Sequence, residues 1–257
     1  MKKYVSICAF TILCLGLLPV HAQLGTGGSS LDSVISKVFG TNLNFSADME
    51  AEIKAMPKQQ DISLNGKMYF ANGNSRSEMD MTSMKGSQMT PQMVAQMKAM
   101  GMDKLVSITH AGTKIVYMVY PGLQAYAKIE KPDAENTGTN DLKIETADLG
   151  AETFDGHPCL KRRYNISNSK TGQTLVMTTW NAKDLQNCPI KIEQSAWAGG
   201  DSFKGNSATM IFKNVNLAKP DASLFEPPAG YKAYDSIQAM MRAEMMKHMG
   251  GAGPGSH

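Results

Sequence analysis

The spacing of hydrophobic residues changes along the chain from helical to alternating. Residues 31–39 carry apolar side chains at helical spacing and are followed by a glycine, so the pattern predicts a short amphipathic helix. Over residues 43–53 the period becomes two, with residues such as Phe45 on one face and residues such as Glu50 on the other. This alternation predicts a half-buried antiparallel strand.

The alternation recurs many times after this first strand. Further strands are predicted at residues 62–70, 76–80, 105–109, 115–120, 125–129, 143–147, 152–154, 159–166, 173–180, 190–197 and 207–215. Antiparallel strands in this number are too many for a small flat sheet. The sequence therefore predicts a mainly β fold with a few α-helices, in which the antiparallel sheet curls toward a barrel.

One predicted helix interrupts the strands. Thr90 can cap it, Pro91 suits its first position, and Gly101 suits the left-handed residue that ends it. One face of this helix is made of methionine, at Met93, Met97 and Met100, with Met89 in the preceding turn.

The two ends of the chain differ from the middle. Lys2 and Lys3 precede an apolar run over residues 4–20, and Ala22 offers a small residue before Gln23, which is the pattern of a cleaved secretory signal. A retained membrane anchor is the alternative, but the run is short for a membrane span. The predicted division is a signal peptide at 1–22, a flexible lead at 23–30, one half-barrel domain at 31–234, a methionine-rich helix at 235–249 and a disordered tail at 250–257.

The cysteines support an exported chain with a single cross-link. Cys8 and Cys14 lie in the signal and neither follows a small residue, so lipidation is not expected. Cys159 and Cys188 remain, and in an oxidising compartment the default expectation for two cysteines is one disulfide. The bridge would close a loop of about thirty residues and contribute roughly 3–4 kcal/mol. Two free buried thiols, or a redox or metal pair, are the alternatives.

Composition and charge exclude several classes of protein. The chain has 42% hydrophobic and 19% charged residues, as soluble globular proteins do. Without the two signal lysines, 24 basic residues face 23 acidic ones, so nucleic-acid binding has no electrostatic support. The familiar local motifs of zinc proteases, serine hydrolases and phosphate-binding loops do not occur, so we expect a protein that is not an enzyme and needs no cofactor.

The order of several short motifs resembles a known superfamily. Residues 112–121, with their strand and Pro-Gly turn, and residues 66–69 resemble the periplasmic lipoprotein carriers of the LolA/LolB-like type. Later segments look more like a secreted family, domain of unknown function 4412: residues 156–159, 180–185, 189–192 and 224–231. Together these resemblances span roughly residues 43–231.

Membership of this superfamily would imply an incomplete antiparallel half-barrel whose apolar concave side is covered by helices, with the helix that begins near Pro91 as a lid. It would also imply a binding or carrier role for an apolar molecule, and a periplasmic or secreted location. In the lipoprotein carriers an arginine shortly after the strand resembling residues 68–70 helps to hold the lid closed. Here the nearest counterpart is Asn72, and Arg76 lies a few residues later, so the specific lipoprotein-shuttle role is not implied.

The leading hypothesis for a site is a methionine-lined cavity between the sheet and the lid. Methionine suits variable contents because its unbranched side chain can repack. The predicted lining comprises Met89, Met93, Met97, Met100, Phe45, Met49, Met68, Phe70, Val116, Met118 and Met177. The expected ligand is a lipid, an acyl-like small molecule or a lipidated or membrane-associated partner. The alternative is that the same residues fill a solid core, which would leave a structural or protein-interaction module.

Methionine content suggests a second hypothesis, copper(I) binding. Of 20 methionines only Met1 lies in the signal, and thioethers select Cu(I). On the last predicted helix one face presents Met241, Met245, His248 and Met249, and a looser cluster lies at residues 79–84. The alternative interpretations of this helix are a docking element for a protein or membrane surface, or a helix that packs back on the barrel.

Overall fold

The computed structural model describes residues 38–39, 42–54, 61–86, 90–110, 113, 115–130, 142–169, 172, 174–198 and 207–250. The predicted signal peptide, flexible lead and most of the first helix lie outside these residues, as does the tail beyond Gly250. Two longer helices are described, α1 (Pro91–Ala99) and α2 (Ile237–Gly250). The strands are β1 (Phe45–Lys54), β2 (Ile62–Ala71), β3 (Asn74–Asp80), β4 (Lys104–Thr109), β5 (Ile115–Tyr120), β6 (Ala125–Glu130), β7 (Leu142–Phe154), β8 (His157–Asn168), β9 (Thr174–Ala182), β10 (Cys188–Ala198), β11 (Ser207–Asn216) and β12 (Lys232–Tyr234).

All the strands belong to one curled sheet in the order β12-β6-β5-β4-β3-β2-β1-β11-β10-β9-β8-β7. Two antiparallel meanders, β1 to β6 and β7 to β11, meet where β1 pairs with β11. The exception to antiparallel pairing is β12, which lies parallel to β6. The outermost strands, β12 and β7, are not paired with each other, so the sheet is an open half-barrel. This confirms the predicted fold class.

The set of strands differs from the prediction at two places, for local reasons. The predicted strands at residues 143–147 and 152–154 are one strand, β7, whose register shifts between Asp148 and Gly150. A bulge of this kind interrupts the alternation without ending the strand. The strand β12 has three residues, too few to show any period.

One face of the sheet, here called the inner face, carries the main core. Because side chains alternate along a strand, Phe45, Met68 and Phe70 share this face with Met177 and Phe212. The ring of Phe45 stacks near Phe70, with centroids 6.1 Å apart, and meets Phe212 edge-on at 5.6 Å. These buried side chains of β1, β2 and β7–β11 form what we call the aromatic half of the inner face.

The outer face is covered more thinly. Val106, Ile108 and Val119 pack there beneath Phe225, which belongs to a short 3₁₀ helix at Ala222–Phe225. Arg76 donates one hydrogen bond to the Leu224 carbonyl, at 3.0 Å, and another to Glu78, at 2.7 Å. Arg76 therefore ties the 3₁₀ helix to the outer face and does not contact the lid.

The predicted disulfide is wrong, because both described cysteines are free and buried. Ala182 of β9 pairs with Cys159 of β8 on one side and with Cys188 of β10 on the other. A whole strand therefore separates the two thiols. Neighbouring strands lie about 4.8 Å apart, which places the two Cα atoms roughly 10 Å apart, whereas a disulfide needs less than about 7 Å.

Candidate functional site

Cross-strand register places a strip of small hydroxyl side chains in the middle of the inner face. Ser75 pairs with Thr109, and Ser77 pairs with Ser107, across β3 and β4. We call these four residues the serine strip. The neighbours of Ser77 and Ser107 in the same row are larger, because Met68 of β2 pairs with Ser77 and Met118 of β5 pairs with Ser107.

One end of this strip keeps contact with solvent, whereas Ser75 and Thr109 at the other end are buried, at 3% and 6% exposed. Ser77, Ser107 and Met118 are only partly buried, as is Val116. The residues on either side are covered, since Phe70 lies in the aromatic half and Ala127 lies beneath helix α2, and both are 0% exposed. The inner face is therefore partly accessible around Ser77 and Ser107, between two covered regions, and we call this part of the face the groove.

Beyond the strip, methionine dominates the packing. Helices α1 and α2 lie over β4–β6, and buried Leu105, Tyr120, Ala125 and Ala127 form the floor of this region. Burial raises the pKa of Tyr120 to about 12, which keeps it neutral at physiological pH. The thioether side chains of what we call the methionine layer are Met79, Met81, Met84, Met97, Met102, Met118, Met240 and Met241.

Helix α1 is attached to this layer through few contacts. The Thr90 side chain accepts a hydrogen bond from the Met93 amide, at 3.2 Å, and so caps the first turn. Met97 is the one buried residue of the helix. Two residues after the helix, Gly101 has a φ of +66°. Its backbone lies so close to Gly122 that a Cβ atom on Gly101 would clash with Gly122. Glycine is therefore required at this end.

Helix α2 is held more firmly. Met240 on its inner side is 0% exposed. Glu244 accepts hydrogen bonds from the Tyr234 hydroxyl at 2.9 Å and from the Lys247 ammonium at 2.6 Å. The bond from Lys247 is the largest of the influences that lower the pKa of Glu244. The helix thus packs back on the sheet through both apolar and polar contacts.

The predicted cavity residues fall into separate groups. Phe45, Met49, Met68, Phe70 and Met177 lie in the aromatic half, whereas Met97 and Met118 lie in the methionine layer. Met93, Met100 and Val116 are partly buried, and Met89 lies outside the described residues.

Sequence reasoning missed several members of the layer. Met81, Met84, Met102 and Met240 come from a 3₁₀ helix, from loops and from the side of α2 away from the predicted copper face, where no periodic pattern marks them. A run of three methionines at residues 79–84 was visible in the sequence, and the fold places it beside both helices.

The predicted copper-binding face is only partly described. Met241 packs in the methionine layer, and the side chains of Met245, His248 and Met249 lie outside the described set. Among the described residues, no three or more His, Cys, Asp or Glu side chains are grouped so that they could hold a metal ion. In the same part of the chain, neither helix has the length and apolar character of a membrane span.

Comparison with solved structures finds distant similarity to proteins of this general shape. Lipoprotein LppX of Mycobacterium tuberculosis is 10% identical, with a TM-score of 0.39, and the match covers 74% of this chain and 93% of LppX. LprF of Mycobacterium bovis is 10% identical, with a TM-score of 0.30, over 74% of this chain and 96% of LprF. A domain from Vibrio parahaemolyticus described as an outer membrane lipoprotein-sorting protein domain is also 10% identical, with a TM-score of 0.30, over 70% and 88% of the two chains.

No family model matches the chain, and no curated protein matches it. Membership of domain of unknown function 4412 therefore stays a prediction. The structural similarities are distant, and the fold is defined by the strand order and register of the chain itself.

Proposed function

We propose that the chain is an exported, non-catalytic binding or carrier protein for an apolar ligand, such as a lipid or an acyl chain of a lipidated partner. The ligand would lie along the serine strip and extend under helix α1 into the methionine layer. We place the protein in the periplasm or outside the cell, after cleavage near Gln23.

The observation that carries this proposal is the uneven burial of the inner face. A sheet face inside a solid core is covered along its whole width, yet Ser77, Ser107, Val116 and Met118 keep access to solvent. Small side chains at the two serines leave room above the sheet, and apolar side chains border them on both sides. Such a groove suits a narrow apolar chain.

The attachment of α1 supports a lid that can move. A helix that buries one methionine loses little apolar contact when it shifts, so its opening costs less than global unfolding. Met97 and the partly buried Met93 and Met100 can then repack around the ligand, because an unbranched thioether chain adopts several rotamers at low cost. The base of the lid stays fixed by the contact between Gly101 and Gly122.

The affinity would come from burial of apolar surface. At about 25 cal/mol per Å², an acyl chain needs no charged anchor to bind, and the lining residues supply none. Release would follow from the same opening of α1.

The experiment is uptake of a fluorescent long-chain fatty acid, measured by titration for the parent protein and three variants. Met97→Lys places a charge beneath the lid and is expected to weaken binding by at least about tenfold, which corresponds to about 1.4 kcal/mol. Met246→Lys is the matched control, since Met246 is 67% exposed, and should bind like the parent protein. Ser107→Phe should also reduce uptake, by filling the groove.

Two outcomes would overturn the proposal. If the parent protein takes up no apolar probe, the inner face is a filled core and the chain is an interaction module. If Met97→Lys and Ser107→Phe both bind normally, the ligand lies elsewhere. Tight binding of Cu(I), measured in parallel by a colorimetric chelator, would favour the copper-binding alternative.

A further inference from the structure

A cavity of about 400 Å³ lies at the opposite end of the inner face from the methionine layer. It is formed where the segment before β1 crosses strands β8 and β9 and the turn that joins β9 to β10. Its polar lining is unusual in containing five carboxamide side chains. These are Asn42, Asn44, Asn181, Gln186 and Asn187, and the rest of the lining comprises Arg162, Tyr164, Val38, Phe39, Leu43, Leu185 and Leu217.

Two of the carboxamides bring buried, unsatisfied acceptors to this cavity. Asn181 is 3% exposed, and its Oδ1 has no hydrogen-bond partner. The Oδ1 of Asn44 is likewise buried and unpartnered, while its Nδ2 donates to the Asn42 carbonyl at 2.9 Å. A buried acceptor without a donor destabilises a fold, so its presence at a cavity points to a ligand that supplies the donor.

The inner row of β9 shows that this polarity is local. Leu175 and Met177 lie in the aromatic half, and the next two inward residues are Thr179 and Asn181. Both of these are buried, and the hydroxyl of Thr179 also lacks a partner. The strand thus changes from apolar to polar where it reaches the cavity.

The floor and the rim of the cavity differ in burial. Asn181 and Tyr164 are buried, whereas Gln186 and Asn187 are exposed at the mouth. The two rim residues have φ values of 54° and 60°, and this left-handed turn holds two consecutive amides at the opening. A ligand can therefore enter from solvent at the rim, and a small shift of the lining would bring it to the Oδ1 atoms of Asn44 and Asn181, which are themselves buried.

The electrostatics of the lining favour a neutral ligand. Arg162 carries the charge among the described lining residues, and its Nε already donates to the Asp148 carboxylate at 2.8 Å. The pair leaves little net positive charge to attract an anion. The rings of Phe39 and Tyr164, with centroids 6.1 Å apart, add apolar surface next to the amides.

We propose that this cavity binds a neutral polyhydroxylated group of the size of a mono- or disaccharide. Hydroxyl groups both donate and accept, so they can satisfy the acceptors of Asn44 and Asn181 and also pair with the amide donors at the rim. The C–H faces of a sugar ring are apolar enough to lie on Phe39 or Tyr164. A free sugar and the headgroup of a glycolipid both present such a group.

The test is isothermal titration of the parent protein with a panel of neutral mono- and disaccharides, with inositol, and with octyl glucoside below its micelle concentration. Binding of at least one compound is expected. Asn181→Leu should weaken that binding by at least tenfold without lowering Tm, because it removes an unsatisfied buried acceptor. Asn165→Leu makes the same change at an exposed position on the outer face and should leave binding unchanged.

A second variant keeps the test decisive if Asn181→Leu fails to fold. Gln186→Gly suits the left-handed backbone and removes one rim amide, so a smaller loss of affinity is expected. No binding by any compound, or binding that neither variant weakens, overturns the proposal. Binding of octyl glucoside alone, weakened by Asn181→Leu and unchanged by Met97→Lys, identifies a glycolipid headgroup as the source, and equal binding of a free sugar identifies the soluble molecule. Met97→Lys should not affect sugar binding. Failure of the sugar-binding proposal can therefore be distinguished from failure of the proposed apolar site.

Discussion

At one end of the inner face, aromatic rings pack together with aliphatic side chains and with Met49, Met68 and Met177, whereas thioethers dominate at the other end. In the aromatic half, Phe45 contacts Phe70 and Phe212 through ring geometries that leave few alternatives. In the methionine layer, Met97 and Met240 fill the space between helices and sheet. Met79 packs against both regions, so they touch at one end of the serine strip.

This difference separates stability from adaptability within one sheet. Rings have a fixed shape and two rotatable bonds, so they specify one arrangement, whereas methionine has three rotatable side-chain bonds and a polarisable sulfur. The aromatic half is also tied together by strands that are distant in sequence, β1 with β11. We therefore expect the aromatic half to carry the stability of the fold and the methionine layer to tolerate rearrangement.

The largest effect should follow truncation in the aromatic half. Phe45→Ala should lower the free energy of unfolding by about 3–5 kcal/mol, because it leaves a cavity among rings that cannot collapse. Met97→Ala should cost less, about 2 kcal/mol, since neighbouring thioethers can fill the space. Urea unfolding followed by tryptophan fluorescence measures both. Equal costs for the two variants would show that the two regions do not differ in plasticity.

The next largest effect should be a difference in the rate at which the two thiols are labelled. Burial raises the pKa of Cys188 to about 12, and this thiol lies in the aromatic half, so at neutral pH it should react only when that half opens. Burial also raises the pKa of Cys159, which lies in a small cluster with Trp180 on the sheet.

The measurement uses protein beginning at Gln23, without added reductant. Native protein should label slowly, with Cys188 slower than Cys159, and urea-denatured protein should label at two thiols. If no thiol reacts after denaturation, Cys159 and Cys188 form a disulfide after all. Fast native labelling of Cys188 would instead show that the aromatic half opens readily.

The smallest effect concerns the docking of α2. In the folded protein the pKa of Glu244 lies below its ordinary value of 4.5. The ionised carboxylate therefore contributes fully to the stability of the fold above pH 4.5, and this contribution is lost as the pH falls through the lowered pKa. Glu244→Gln should lower Tm slightly at pH 7, and the difference from the parent should shrink below about pH 4.5. Thermal unfolding at several pH values measures this. A difference that is constant with pH would mean that the ionised form is not what holds the helix.

Much of the fold was predictable because it depends on the local spacing of hydrophobic residues. Alternation located most strands of the sheet, and Thr90, Pro91 and Gly101 correctly marked the ends of α1. Short or bulged elements were missed, since β12 is too short to show a period and the register shift in β7 divides the alternation in two.

The composition of the candidate site was less predictable. Met97 and Met118 were expected together and do share the methionine layer, but Met68 and Met177, expected beside them, belong to the aromatic half. Strand alternation states which face a residue occupies and says nothing about its position across the width of the sheet. Met240 joins the layer from the far end of the chain, at a distance in sequence that no periodic pattern spans.

The sequence by itself determined the curled β sheet, the amphipathic helices and the richness in methionine, because each depends on residues a few positions apart. Only the tertiary structure decided that β9 separates Cys159 from Cys188, that the serine strip divides the inner face, and that Asn44 and Asn181 meet at one cavity. Those facts depend on which strands pair and in which register, and pairing is chosen by the burial of the whole sheet at once.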